Sequence, residues 1–216
     1  MTKKDKRKKL IALKDRMESD NSLPLRSGAT NLVFGQGNID SPVMFIGEGP
    51  GRWEDMKALP FVGNAGALLN QLLQSVELPR EEVFITNVVH HRPPSNRDPL
   101  PEELSSYGRY LDKMIKIINP SIIVTLGRFS MAKFISGVTI TNVHGKPRKI
   151  VWKDKEIVVV PMYHPAAGLR NGEIKRRLFD DFKVIPEIMK DVGEYKVEQI
   201  GEEVKEDDSI EQMSLV

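Results

Sequence analysis

Four short, nearly unbroken apolar runs punctuate the chain: VMFIG from Val43, VFITNVV from Val83, SIIVTLG from Ser121 and EIVVVPMYHP from Glu156. Between them the apolar spacing changes to that of helices, in GALLNQLLQSV from Gly66 and EELSSYGRYLDKMIKII from Glu102, with a further helix expected before the fourth run. Runs without polar alternation suit strands covered on both faces. Strands alternating with helices imply parallel βαβ units, so the pattern predicts a three-layer α/β/α sandwich with a central, mainly parallel four-stranded sheet. Upstream, Leu10, Ile11, Leu13 and Met17 recur at helical spacing among charges and predict a surface helix. The stretch from Asp20 to Pro42 is rich in Asn, Ser, Gly and Pro and reads as an irregular loop. The expected organisation is a basic helix and loop over 1–29, an α/β domain over 30–190, and an acidic tail over 191–216, expected to be disordered.

Composition narrows the class. The 216 residues suffice for one well-buried domain, and a net charge of +2 hides a basic start, MTKKDKRKKL, and an acidic end, GEEVKEDDSIEQ. The region between Arg92 and Arg177 is rich in Lys and Arg, which fits a polyanionic partner. The chain has no cysteine, which excludes disulfides, thiolate chemistry and cysteine-ligated clusters. No apolar run approaches the ~20 residues of a membrane span, and no signal-peptide core follows the basic start, so a cytoplasmic protein is expected.

In doubly covered parallel sheets, ligands bind beyond the carboxyl ends of the strands. That rule selects Glu48 in GEGPG, Asn87 in ITNVVHH, Gly127 in TLGR and His164 in MYHPAA. Each carries two readings. GEGPG is a tight turn with a solvated Glu, or glycines clearing the backbone for a ligand; it lacks the Lys-Ser/Thr of a P-loop and the spacing of a dinucleotide fingerprint. Phe61 in PFVGNAG is a core plug or a stacking surface for a flat heterocycle. Asn87 braces a loop, or uses an amide that both donates and accepts to read a base edge. His164 is a satisfied loop histidine, or a donor to developing negative charge. His90 and His91 are expected to point to opposite faces of extended chain, and His144 to lie on the surface. Arg92, Arg97, Arg170, Lys175, Arg176 and Arg177 are phosphate contacts or a solvated basic face.

The ordered set GEGPG, ED, PFVGNAG, ITNVV, RPPSNR, INPSIIVTLGR and YHPAAGLRN resembles the uracil-DNA glycosylase superfamily, and most closely its family 4, over roughly Thr30 to Phe182. The resemblance implies a DNA repair enzyme that flips uracil out of DNA and hydrolyses its N-glycosidic bond. By position it implies that Glu48 and Gly49 form the first active-site motif and that Glu54 guards the C5 side of the base. Phe61 would stack on the base, Asn87 read its imide edge and His164 stabilise charge on O2. Asn96 would fall on a further polar site position, and Leu169 in AAGLRN, a loop by this resemblance, would wedge into the duplex. DNA is the implied partner of an enzyme expected to be a monomer, with replication or repair proteins as candidate partners of the tails. Alternatives are a superfamily glycosylase for xanthine or hypoxanthine, an inactive DNA-binding relative, and more remotely a nucleotide-binding enzyme. Members of family 4 commonly hold a four-iron cluster on four cysteines. The matching positions here are Asp20, Leu23, His91 and Tyr107, so no cofactor is expected, and apolar and aromatic packing should take the cluster's place. Ala58 stands where the family often has glycine.

Overall fold

A computed structural model describes residues 1–191, so the acidic tail lies outside the described residues. The four apolar runs form β2 (Val43–Gly47), β3 (Phe84–Asn87), β4 (Ile122–Leu126) and β6 (Lys155–Met162), paired in parallel in the order β3-β2-β4-β6. The sheet has six strands, not four. Two antiparallel edges were missed: β1 (Gln36–Gly37) on β3, and β5 (Arg148–Trp152) on β6. The first is a two-residue Gln-Gly bridge inside the expected loop, with no apolar signature. The second is half-exposed, and its hairpin turns at Lys153 and Asp154, whose φ of +46° and +66° belong to a two-residue turn usually marked by Asn-Gly.

Alternation along each strand separates two cores. Met44, Ile46, Ile123 and Val159 pack with α1 (Lys3–Glu18) and α4 (Pro101–Ile118). Val43, Phe45, Ile122, Val124 and Val160 pack on the other side with α3 (Asn64–Ser75), α8 (Gly172–Phe182) and α9 (Val184–Asp191). The remaining helices are short: α2 (Arg52–Lys57), α5 (Arg128–Ala132), α6 (Ile140–Val143) and α7 (Pro165–Arg170). The AAGLRN segment is therefore helical through Arg170, not a loop, and Asn171 caps α8 by accepting from the amides of Glu173 and Ile174.

In α1, Leu10, Leu13 and Met17 are buried in the core shared with α4, whereas Ile11, expected in the same stripe, is exposed. The loop after α1 closes on α4 through Asp20, which accepts from Tyr110 Oη at 2.6 Å and pairs with Arg109 at 2.6 Å. Hydrogen bonds from Ser22 and Tyr110 hold this carboxyl well below the usual range. Leu23 is buried in the same core as Tyr107, whose hydroxyl meets His91 Nδ1 at 2.8 Å. These four positions cannot rebuild a cluster site: leucine offers no ligand, and the His91 nitrogen is taken by tyrosine. Among the described residues no group of three or more His, Cys, Asp or Glu is placed to hold a metal ion. His90 and His91 both lie against Tyr107, at ring distances of 6.0 and 5.8 Å, rather than on opposite faces, because the chain bends after Asn87 instead of staying extended. His144 is likewise not a surface residue: it is part-buried, and Nδ1 contacts Asp181 at 2.7 Å. Among the described residues no helix is long and apolar enough to cross a membrane.

Candidate active site

A cavity of about 420 Å³ opens at the carboxyl ends of β2, β3 and β6, where the strand-end rule placed it. Its wall includes Glu48, Gly49, Glu54, Phe61, Asn87, Asn96, Arg97, His164 and Arg170.

Glycines make room for the side chains around Glu48. A Cβ at Gly47 would come within 2.6 Å of both Asn87 Oδ1 and the Phe61 ring, so glycine makes room for both. Glu48 follows immediately. Its Oε1 accepts from the Phe129 amide at 3.1 Å, at the start of α5, and its carboxylate occupies the space that a side chain at Gly127 would need. Burial raises the Glu48 pKa, while the Phe129 amide and Arg128 act in the opposite direction. The sequence pointed to Gly127 without its purpose; this seat for Glu48 depends on a fold contact between distant segments. Arg128 in turn pairs with Asp98 on the cavity wall.

Phe61 adopts a left-handed backbone, φ +51°, unusual for an aromatic residue. Two devices hold it. Glu54 Oε1 accepts from the next two amides, Val62 at 2.9 Å and Gly63 at 2.8 Å, and Gly66 leaves room for the Phe61 carbonyl, which any Cβ would overlap. The Phe61 ring is nearly buried and stacks on His164 at 5.6 Å and 26°. It is both a core residue and a cavity wall.

His164 ends the approach to α7, and its Nδ1 accepts from the Ala166 amide at 3.1 Å. An accepting Nδ1 fixes the neutral ring with the proton on Nε2. Burial first, and Arg170 second, push its pKa down to about 4. The ring thus stays an uncharged donor through the physiological range.

Asn87 is 1 % exposed, and among the described residues its side-chain amide makes no hydrogen bond to protein. The loop-brace reading fails on that point. Buried amides are normally partnered; this one faces the cavity.

The cations divide. Arg97 is bound on two nitrogens by Glu103, at 2.6 and 2.8 Å, which also accepts from the Leu100 amide, so it anchors the start of α4. Arg92 Nε donates to Asn96 Oδ1 at 2.7 Å, so the two fix each other beside the cavity. Arg177 pairs with Glu173 one turn away. Arg170, Lys175 and Arg176 are exposed, and among the described residues none makes an ion pair. Leu169, at the end of α7, is 49 % exposed next to Arg170 on the cavity wall. Leu169, Arg92, Lys175 and Arg176 lie outside the cavity lining.

Comparison with known proteins bears on the family of the chain. A family model described as the uracil DNA glycosylase superfamily matches residues 34–183. A Type-4 uracil-DNA glycosylase of Sulfurisphaera tokodaii is 45% identical over 185 residues, covering 83% of this chain and 84% of that one. The Type-4 uracil-DNA glycosylase of Thermotoga maritima is 42% identical, covering 83% and 94%. That of Archaeoglobus fulgidus is 45% identical, covering 76% and 85%.

Proposed function

The chain belongs to the uracil DNA glycosylase superfamily, and we propose that it excises uracil from DNA by hydrolysing the N-glycosidic bond, leaving an abasic site. The observation that carries the reading is Asn87, a buried amide without a partner among the described residues, on the wall of a cavity large enough to admit a base. Uracil offers an N3–H donor beside an O4 acceptor, and one amide meets both. The base must first leave the stack, at a cost of a few kcal/mol that is smallest in single strands and mismatches.

Within the cavity, Phe61 stacks on the flipped ring, and Glu54 holds that aromatic in its left-handed turn while standing on the C5 side. As the bond breaks, the electron pair passes to uracil and positive charge to the sugar. His164, neutral with its proton on Nε2, donates to O2 as that oxygen gains charge; donors of this kind contribute ~10²–10³ in rate. Glu48 opposes the sugar's positive charge and accepts a proton as water adds to C1′; its raised pKa and backbone anchor support this assignment. Asn96, held by Arg92, borders the sugar side. Arg92, Arg170, Lys175 and Arg176 contact phosphates, and Leu169 fills the gap left in the stack. The reading is of a cytoplasmic monomer acting on single- or double-stranded DNA, with repair or replication proteins as partners of the tails.

Incubation with a uracil-containing oligonucleotide, followed by alkaline cleavage, tests it. Cleavage at the uracil position is expected in single-stranded and U·G substrates. Intact strands across pH 6–9 would refute the proposal.

A further inference from the structure

The mechanism leaves one aromatic at the rim unused. Trp53, on α2, is 51 % exposed, although the next residue, Glu54, lines the cavity. Its position is fixed. The indole edge rests on Gly63, where a Cβ would sit 3.3 Å from Cδ1, and Gly63 is itself tied to Glu54 at 2.8 Å. The Arg52 guanidinium lies 5.9 Å from the ring centre. Met56, on the same helix, and Leu59, just past its end, are also exposed apolar side chains. The second tryptophan contrasts with it: Trp152, the last residue of the edge strand β5, packs on Phe134 at 5.9 Å.

We propose that Trp53 is a stacking platform for the nucleobase next to the flipped uracil in single-stranded DNA, with Arg52 contacting the intervening phosphate. Flipping one base uncovers a face of each neighbour, and an indole fixed at the rim replaces the lost stack. The indole adjoins Glu54 of the cavity wall in the chain and has a cation beside it, as a strand entering that cavity requires. Three side chains form too narrow a surface for a stable protein partner. Base–aromatic stacking of this kind is worth roughly tenfold or more in affinity and tolerates any base.

The proposal rests on the uracil-excision reading, and its test separates the two. In a Trp152→Phe protein, Trp53 is the sole tryptophan. It is titrated with a single-stranded oligonucleotide carrying 2′-fluorinated deoxyuridine, which resists cleavage, flanked either by normal bases or by tetrahydrofuran spacers. Indole emission should quench with the base-flanked strand and not with the spacer-flanked one. Trp53→Ala should weaken binding of the base-flanked strand about tenfold and leave the spacer-flanked strand unchanged. Equal effects on both strands, or on neither, overturn the platform even if the unsubstituted protein releases uracil. Failure of that protein to release uracil overturns the excision reading and the platform with it.

Discussion

The end of β3 feeds two regions that treat buried polarity in opposite ways. Asn87 turns its amide into the cavity and has no partner among the described residues, while His91, a little further along, meets the Tyr107 hydroxyl in a packed corner. In that corner Asp20 is bound by Ser22, Arg109 and Tyr110, and Leu23 and Tyr107 fill the space between. His90 Nδ1 alone goes without a partner there. At the cavity the fold also keeps Phe61 in a left-handed turn, clears Gly47 and Gly127 for other side chains, and raises the pKa of Glu48 by burial. One region pairs most of its polar groups within the protein; the other keeps the Asn87 amide facing a cavity. Substitutions should therefore separate cleanly, with rate lost at one and stability lost at the other.

The largest effect is expected at Asn87. Asn87→Asp keeps the shape but sets a carboxylate against O4, and a buried polar mismatch discriminates by ~10⁴ or more. Uracil excision should fall by at least ~10³, with a trace of cytosine release through its N4 amino group, whereas Asn87→Ala should lose both. Near-native uracil release by both variants would return Asn87 to a structural role. Next, His164→Ala should lower the single-turnover rate by ~10²–10³ with DNA affinity nearly kept. Parallel loss of rate and affinity would contradict a role in the chemical step.

The corner is tested by stability. Tyr107→Phe leaves His91 buried without its partner and should cost about 1–3 kcal/mol, read as a melting temperature several degrees lower, with uracil release per folded molecule kept. Acidity probes both regions together. Burial depresses His90 to about 3 and His91 and His164 to about 4. Between those values and ~6.5 the unfolded chain binds protons that the folded chain does not, so this contribution is complete above ~6.5 and is lost as pH falls towards 4. Melting temperature should drop through that window, while the single-turnover rate of folded protein should show no His164 titration near 6.5. The smallest effect is Ala58→Gly. Ala58 caps α2 at φ +56°, the left-handed geometry that glycine adopts without strain, so the change should stabilise by about 1 kcal/mol or less. A lower melting temperature would show that the alanine methyl is needed there.

The sequence was most legible where periodicity and chemistry coincide. The four parallel strands were visible because double burial makes continuous apolar runs, and the strand-end rule then gathered Glu48, Asn87 and His164 before any contact was known. The edge strands were not, because Gln36–Gly37 is too short and β5 too exposed to carry a pattern. The pairing of Arg97 with Glu103, the His144–Asp181 contact and the amide of Phe129 behind Glu48 are tertiary choices that no local spacing encodes. The Ala58 departure looked minor in the sequence and acquired a physical meaning only with its φ value.

The most direct test of the account is the base released by the unsubstituted protein. Single-stranded oligonucleotides identical except for one uracil, cytosine, thymine, hypoxanthine or xanthine are incubated separately, and the free base is identified by mass spectrometry. The account predicts uracil as the dominant product, with cytosine rejected at Asn87 and thymine at the Glu54 side of the cavity. Absence of free uracil, or faster release of hypoxanthine or xanthine, would contradict it.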